Sequence, residues 1–310
     1  MEIGGYFGLE DFSGNEYYPD LIALNTGRNA LAYLIRTKKI KKIFIPEYIC
    51  DSIYKLCERE ECDYEFYEID FDFKPKFDNI LKENEWLYLV NYFGQLTNEL
   101  EYKKKYGRII LDNSQAFFQK PKGAIDTIYS CRKFFGVPDG AYLASDETLD
   151  LPQDYSKDRM IHILGRYEIN ASDYYQDFVC QEEAFYELEP KYMSKLTHNI
   201  LRALDYEMIC KKREHNYLFL AERLGNRNGL DLKMPIGPYA YPFYTENGMK
   251  FRNYLIKNGI YIPTLWPNLI QDKENKLALN LLPLPVDQRY GIDEMKILVN
   301  NMISLLNETR

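Results

Sequence analysis

Lys133 stands in the run Ser130-Cys131-Arg132-Lys133-Phe134-Phe135-Gly136, Asp112 ends the apolar run Ile109-Ile110-Leu111, and Thr26-Gly27-Arg28-Asn29-Ala30-Leu31 places a hydroxyl and a glycine ahead of a helical run. An amine just past a buried strand can condense with a carbonyl. A carboxylate placed the same way can keep a ring nitrogen protonated, and a helix start presents unpaired backbone amides that suit a phosphate. Those three groups are what pyridoxal phosphate (PLP) chemistry requires. Taken singly, each has a plainer reading: an ordinary capped helix at Thr26, a cap or loop tie at Asp112, and a solvated amine at Lys133.

The neighbours of Lys133 shift that balance. Phe134, Phe135, Val137 and Pro138 are expected to desolvate the amine and Arg132 adds positive charge. Both effects favour the neutral, nucleophilic form of a lysine. Ser130 is placed to reach a phosphate from the same loop, and Gly136 with Asp139-Gly140 marks the turn into the next strand.

These residues need a scaffold, and the apolar periodicity supplies one. Helical runs are predicted at Asn29 to Ile35, Ile49 to Arg59, Phe77 to Lys82 and Leu96 to Tyr106. Strands are predicted at Lys42 to Ile45, Tyr64 to Ile69, Trp86 to Tyr92, Arg108 to Leu111, Ala124 to Tyr129 and Ala141 to Ala144. Alternation of this kind implies an α/β fold with a mostly parallel sheet flanked by helices. Ligands of such sheets collect beyond the carboxyl ends of the strands, where Asn91 to Gly94, Asp112 and Ser130 to Lys133 all fall. Arg159 to Leu204 reads as polar and helical, with Glu182, Glu183, Glu187 and Glu189 as a solvated face, and Asp205 to Leu224 reads as one long helix stopped by Gly225. Strands near Tyr239 to Tyr244 and Ile260 to Thr264, and helices near Met249 to Lys257 and Asp293 to Leu306, complete a smaller C-terminal α+β domain. The expected division is 1–205 and 206–310.

Composition narrows the class. The chain has 310 residues, 46% of them hydrophobic, and a net charge of −8 with interspersed signs, which argues against nucleic acid as a partner. The N-terminus lacks the pattern of a secretory signal and no apolar run spans a bilayer, so the expectation is a soluble, cytoplasmic protein with no membrane association. Six cysteines without a CxxC pair read as reduced side chains, and three histidines without ligand spacing give no reason to expect a metal. The 28 tyrosines are the ordinary material of cores and interfaces. No G-x-G-x-x-G turn follows the first strand, which excludes a nicotinamide enzyme of the usual kind.

With these residues assembled, the chain resembles the DegT-type family of PLP-dependent sugar aminotransferases, which have the aspartate-aminotransferase-like PLP-dependent transferase fold. The resemblance runs through Gly4-Gly5-Tyr6-Phe7-Gly8-Leu9-Glu10, Leu24 to Leu31, Ile45-Pro46-Glu47-Tyr48-Ile49-Cys50, Val90-Asn91-Tyr92-Phe93-Gly94-Gln95, Leu111 to Ala116, Asn258-Gly259-Ile260 and Leu282-Pro283-Leu284-Pro285-Val286. It implies that Lys133 forms the Schiff base and shuttles protons, that Asp112 pairs with the pyridinium, and that Gln115 lies near the cofactor's hydroxyl. It further implies a phosphate taken by the Gly27 and Arg28 backbone amides together with Ser130, with Thr26, Tyr48 and Cys50 also at the cofactor, and Tyr92, Phe93 and Trp266 on the substrate side.

The implied reaction moves an amino group, usually from glutamate, to a keto sugar linked to a nucleotide, in a homodimer. Two motifs depart from the family. Cys50, with Tyr48 close by, stands where an aromatic residue usually covers the cofactor ring, and Pro190-Lys191-Tyr192-Met193-Ser194 replaces an asparagine-aromatic-basic segment that reaches the neighbouring subunit's site. These departures leave open a non-catalytic member that binds a nucleotide sugar, and a lysine that only forms the Schiff base would also serve a PLP-dependent sugar dehydratase or another non-transaminating PLP enzyme.

Overall fold

The computed structural model describes residues 3–267 and 276–308. Its first half contains β1 (Ile22–Leu24), α1 (Gly27–Lys38), β2 (Lys42–Pro46), α2 (Asp51–Arg59), β3 (Asp63–Ile69), β4 (Pro75–Lys76), β5 (Glu85–Val90), α3 (Glu99–Tyr106), β6 (Ile109–Asp112), β7 (Asp126–Ser130) and β8 (Ala141–Ala144). These strands form one eight-stranded sheet in the order β1-β8-β7-β6-β5-β2-β3-β4. Strands β3, β2, β5, β6 and β7 run parallel. β8 is antiparallel to β7, β1 to β8, and β4 to β3. The mostly parallel sheet flanked by helices is the predicted one.

Why the sheet forms is visible in its strands. Leu87, Leu89, Ile109, Leu111, Ile43 and Ile45 are all buried, the pattern of strands covered on both faces rather than one. Helix α1 packs on β7 and β8 through Ala30, Leu31 and Leu34, each fully buried. Register pairs Val90 with Asp112, and Asp112 with Ile128, so the carboxyl ends of β5, β6 and β7 lie side by side.

The second half contains α4 (Ile161–Glu168), α5 (Tyr175–Ala184), α6 (Lys195–Arg202), α7 (Tyr206–Leu224), β9 (Ala240–Tyr244), α8 (Gly248–Lys257), α9 (Lys276–Asn280), β10 (Leu281–Pro285) and α10 (Ile292–Glu308). Asp205 caps α7 by accepting from the Met208 amide at 2.9 Å. β9 and β10 pair antiparallel as a separate two-stranded sheet. With α7, α8 and α10 that sheet encloses its own apolar cluster, including Tyr217, Leu220, Phe243, Phe251 and Met302. Leu230, Ala240, Leu277 and Leu281 instead join the cluster built on α1 and β2, so the two halves are packed into each other.

Two predicted elements differ, and a strand forms where none was predicted. The helix expected at 77–82 is irregular chain. There Tyr106 donates to the Phe77 carbonyl, which would accept the first bond of a helix over 77–82, and the Arg108 guanidinium donates to the Leu81 and Lys82 carbonyls at 2.9 and 2.8 Å. The strand expected at 260–264 finds no pairing partner among the described residues and runs as coil into Trp266. β10, by contrast, carries Pro283 and Pro285, which argue against a strand in isolation. A two-stranded sheet consists only of edges, where proline is tolerated, and Pro283 lies opposite Pro242.

Of the cysteines, Cys57, Cys62 and Cys131 are buried and Cys180 is exposed. Among the described residues no helix is long and apolar enough to cross a membrane.

Candidate active site

Asp112 is the last residue of β6 and is buried to 8% exposure. Its Oδ2 accepts from the Tyr88 hydroxyl at 2.9 Å and its Oδ1 from the Ser114 amide at 2.7 Å. Tyr88 comes from the adjacent strand β5, where burial, followed by the Asp112 charge, pushes its phenol well above the usual range. Tyr88 therefore stays protonated and donates. Each carboxylate oxygen retains a lone pair for a further donor.

Lys133 lies in the turn after β7, with its Nζ 2.8 Å from Ser114 Oγ. Ser114 thus joins the two groups: its hydroxyl accepts from the lysine and its amide donates to Asp112. The expected desolvation of Lys133 by its neighbours is not what the structure shows. Lys133 is exposed, whereas Phe134 and Phe135 point into a separate aromatic cluster with Phe117 and Tyr129. Arg132 turns away as well, pairing with Glu182 and lying 3.9 Å over the Phe185 ring. Burial lowers its pKa while Glu182 acts in the opposite sense. Glu182 is accordingly an ion-pair partner rather than part of a freely solvated face.

The Lys133 turn is fastened at several points. The amides of Phe134 and Phe135 both donate to the Cys131 carbonyl, at 3.0 and 2.9 Å, and the Cys131 amide donates to Gly140 at 3.0 Å. Gly140 has φ +118°, and a Cβ there would lie 3.0 Å from Thr197 Cγ2 and 3.2 Å from Cys131 Cβ, so only glycine fits. Beside it the buried Asp139 accepts from the Ser194 amide at 3.0 Å and hydroxyl at 2.8 Å, and from Thr197, at the start of α6. The Gly140 amide donates to the Asn25 carbonyl at 2.6 Å, which ties the lysine turn to the chain entering α1.

At that helix start Thr26 is the N-cap, its hydroxyl accepting from the Asn29 amide at 3.1 Å. Gly27 opens α1 beside the end of β7; a Cβ there would meet Ile128 Cγ2 at 3.7 Å and Ser130 Cβ at 4.0 Å, ordinary contact distances. The protein's own packing therefore leaves room for a methyl group at Gly27. Arg28 lies 4.7 Å over the Tyr186 ring, and its Nη1 is buried without a hydrogen bond to the described residues. Tyr186 donates in turn to Asp51 at 2.7 Å, which brings the Arg28 side to the start of α2. Cys50 is the N-cap residue there, its sulfur contacted by the Ser52 hydroxyl at 3.1 Å.

Gln115 is buried, its Oε1 accepting from the Phe93 amide at 3.0 Å while its Nε2 makes no hydrogen bond to the described residues. Tyr48 is buried against Tyr92, with ring centroids 5.6 Å apart, and its carbonyl accepts from the Tyr92 hydroxyl. Tyr92 and Phe93 thus lie inside the core, at 1% and 0% exposure, rather than on an open wall. Trp266 is the one of the three substrate-side aromatics that comes near the lysine, its ring 6.0 Å from Lys133 Nζ and edge-on to Tyr48 at 4.7 Å. Its φ of 51° is rare for so bulky a residue.

Sequence reasoning missed Tyr88 and Ser114 as partners of Asp112. Tyr88 was hidden as one more apolar position of a buried strand. Ser114 was visible in the Asp112-Asn113-Ser114-Gln115 run, and its place between acid and amine appears only once β6 and β7 are side by side.

No family model matches the chain, and no relative is found among curated proteins. Solved structures do match. The sugar aminotransferase CalS13 from Micromonospora echinospora superposes with a TM-score of 0.65 at 13% identity, covering 92% of this chain and 87% of that one. A DegT DnrJ EryC1 StrS aminotransferase from Brucella abortus gives 0.63 at 13% identity, covering 92% and 85%. NtdA from Bacillus subtilis, solved with the cofactor PMP bound, gives 0.67 at 13% identity, covering 93% and 73%. The chain has the PLP-dependent transferase fold of these proteins.

Proposed function

We propose that this protein is a PLP-dependent aminotransferase that moves an amino group, with glutamate as donor, to a keto sugar linked to a nucleotide. The observation that carries the reading is the hydrogen-bonded line from the Lys133 amine through Ser114 to the Asp112 carboxylate across two adjacent strand ends. The rest of the site suits the cofactor. Gln115 Nε2 and Arg28 Nη1 are buried donors without a hydrogen bond to the described residues, and the cofactor carries a phenolic oxygen and a phosphate; the start of α1 at Gly27 suits the latter.

Bound PLP would supply an aldehyde for an amine and a protonated ring that withdraws electrons from the reacting carbon. Lys133 Nζ provides the amine and then, released, takes and returns the proton, with Ser114 Oγ holding it in place. Asp112 holds a proton on the ring nitrogen, and the Tyr88 hydroxyl and Ser114 amide, each donating to one of its oxygens, orient it. Thr26, Gly27, Arg28 and Ser130 hold the phosphate and Gln115 the phenolic oxygen. Tyr48 and Cys50 line the approach from α2. Trp266 offers the aromatic face that Cys50 does not, with Tyr92 and Phe93 supporting it from behind on the substrate side.

The division into a cofactor-binding part (1–205) and a C-terminal part (206–310) belongs to this reading, as do a cytoplasmic location and a role in polysaccharide biosynthesis. So does a homodimer, supported by Ile161, Leu164, Tyr167 and Phe178 of α4 and α5, which are 55%, 50%, 89% and 40% exposed. Light scattering should give twice the 36.8 kDa chain mass; a single-chain mass would contradict the dimer.

The reading is tested by loading the protein with PLP and adding L-glutamate, then a panel of keto sugar nucleotides. Loss of the visible cofactor band with release of 2-oxoglutarate, followed by recovery of the band with one keto sugar nucleotide, is expected. A band that no amino acid alters would contradict transamination. Gly27→Ala gives a separate check on the phosphate seat. Because the fold has room for the methyl, thermal stability should stay within about 1 kcal/mol of wild type. PLP affinity, measured by fluorescence titration, should fall roughly tenfold or more if a phosphate must approach the helix start closely. Unchanged affinity would place the phosphate elsewhere.

A further inference from the structure

The turn that carries Lys133 is gripped from outside the cofactor-binding half. Arg213, on α7, is one of the largest fully buried side chains, at 1% exposure. Its Nη2 donates to the Phe134 carbonyl at 3.1 Å, its Nη1 to the Pro238 carbonyl at 2.9 Å, and its Nε to Gln288 Oε1 at 2.7 Å. Gln288, which follows β10, donates its own Nε2 to the same Phe134 carbonyl at 2.8 Å. The guanidinium lies 4.6 Å over the Phe134 ring. One carbonyl, belonging to the residue immediately after Lys133, therefore accepts from two side chains of the C-terminal part.

This arrangement is costly as mere packing. Burying a guanidinium loses its hydration, and here three of its donors go to neutral acceptors rather than to a carboxylate. Burial pushes its pKa down to about 10, with the nearby Asp287 charge offsetting part of the effect. A hydrophobic residue of similar volume would fill the space without that loss. What it could not do is hold a particular carbonyl in a particular direction, which the rigid fork of arginine does.

We infer that Arg213 and Gln288 are positioning residues for Lys133, acting through the Phe134 carbonyl so that the C-terminal part sets where the amine stands. The turn is fixed from inside by the Cys131 carbonyl and from outside by this pair. Any shift of α7 against the sheet is transmitted to the residue next to the lysine. The inference rests on the reading of Lys133 as the residue that takes the cofactor.

The test separates attachment from binding. Attachment is followed as the rate at which saturating PLP becomes fixed to the protein by borohydride; binding is followed as non-covalent PLP affinity in a Lys133→Ala background. Gln288→Leu should slow attachment roughly tenfold and Arg213→Met roughly a hundredfold, since misplacing a reacting group by about 1 Å costs on that order. Affinity in the Lys133→Ala background should change less than about twofold, and Arg213→Lys should recover part of the lost rate.

Gln288 is only half-buried, so Gln288→Leu carries the test if Arg213→Met fails to fold. Unchanged attachment in folded Gln288→Leu and Arg213→Lys would overturn the inference. So would a loss of affinity equal to the loss of rate, which is what general loosening would give. If wild type itself attaches no PLP, the functional reading falls and the positioning role falls with it, an outcome distinct from wild-type attachment with indifferent variants.

Discussion

Lys133→Ala should leave a folded protein that no longer turns over. Lys133 is exposed, and among the described residues its side chain hydrogen-bonds to Ser114 alone, so its loss should change stability by no more than about 0.5 kcal/mol. Activity is another matter. On the proposed reading the amine both engages the cofactor and carries the proton, and losing both roles should lower kcat by roughly 10⁴-fold or more, about 5.5 kcal/mol of transition-state stabilisation. Steady-state assays with glutamate and the preferred keto sugar nucleotide, beside thermal melts, provide the check. Wild-type turnover in the variant would remove Lys133 from the mechanism.

The second large effect is expected at Asp112. Asp112→Asn keeps the shape and one acceptor oxygen but removes the negative charge. Ser114 and Tyr88 each donate to this side chain now, and an amide can accept from only one of them well. A stability loss of roughly 1–2 kcal/mol follows. The functional loss should be larger, roughly 10²- to 10⁴-fold in kcat, because a neutral amide cannot hold the ring proton that makes the cofactor an electron sink. Equal kcat in wild type and Asp112→Asn, at matched cofactor occupancy, would assign Asp112 to structure alone. The two substitutions also differ in kind: Lys133→Ala should abolish cofactor attachment, whereas Asp112→Asn should permit it and slow the steps after it.

How much of this was legible in the sequence depended on how local the signal was. The parallel strands were readable because residues such as Leu87, Leu89, Ile109 and Leu111 must be apolar wherever both faces are covered. Asp112 and Lys133 were readable as candidates because each follows such a run, and in a parallel sheet those positions converge. Helix α7 announced itself through Asp205 at its cap and an apolar face ending at Leu224.

The rest was not local. Tyr106 takes the Phe77 carbonyl that would open a helix over 77–82, a competitor 29 residues away along the chain. Lys133 was read as desolvated because its sequence neighbours are aromatic, but the turn directs those rings into the core and leaves the amine outside. Arg213 and Gln288 lie 79 and 154 residues from the carbonyl they share, and nothing in their own segments marks them. The substrate-side aromatics divide for the same reason: Tyr92 and Phe93 follow a buried strand into the core, while Trp266, just past a segment expected to be strand, stands beside the lysine.

The central claim is that the Lys133 amine and the Asp112 carboxylate form one cofactor site, and its most direct test is where the cofactor attaches. Purified protein is incubated with PLP, reduced with borohydride, digested and mapped by mass spectrometry. The account predicts one stoichiometric adduct, on the peptide containing Lys133, suppressed by prior treatment with L-glutamate. No adduct on folded protein, or modification spread over several lysines with Lys133 unmodified, would contradict it.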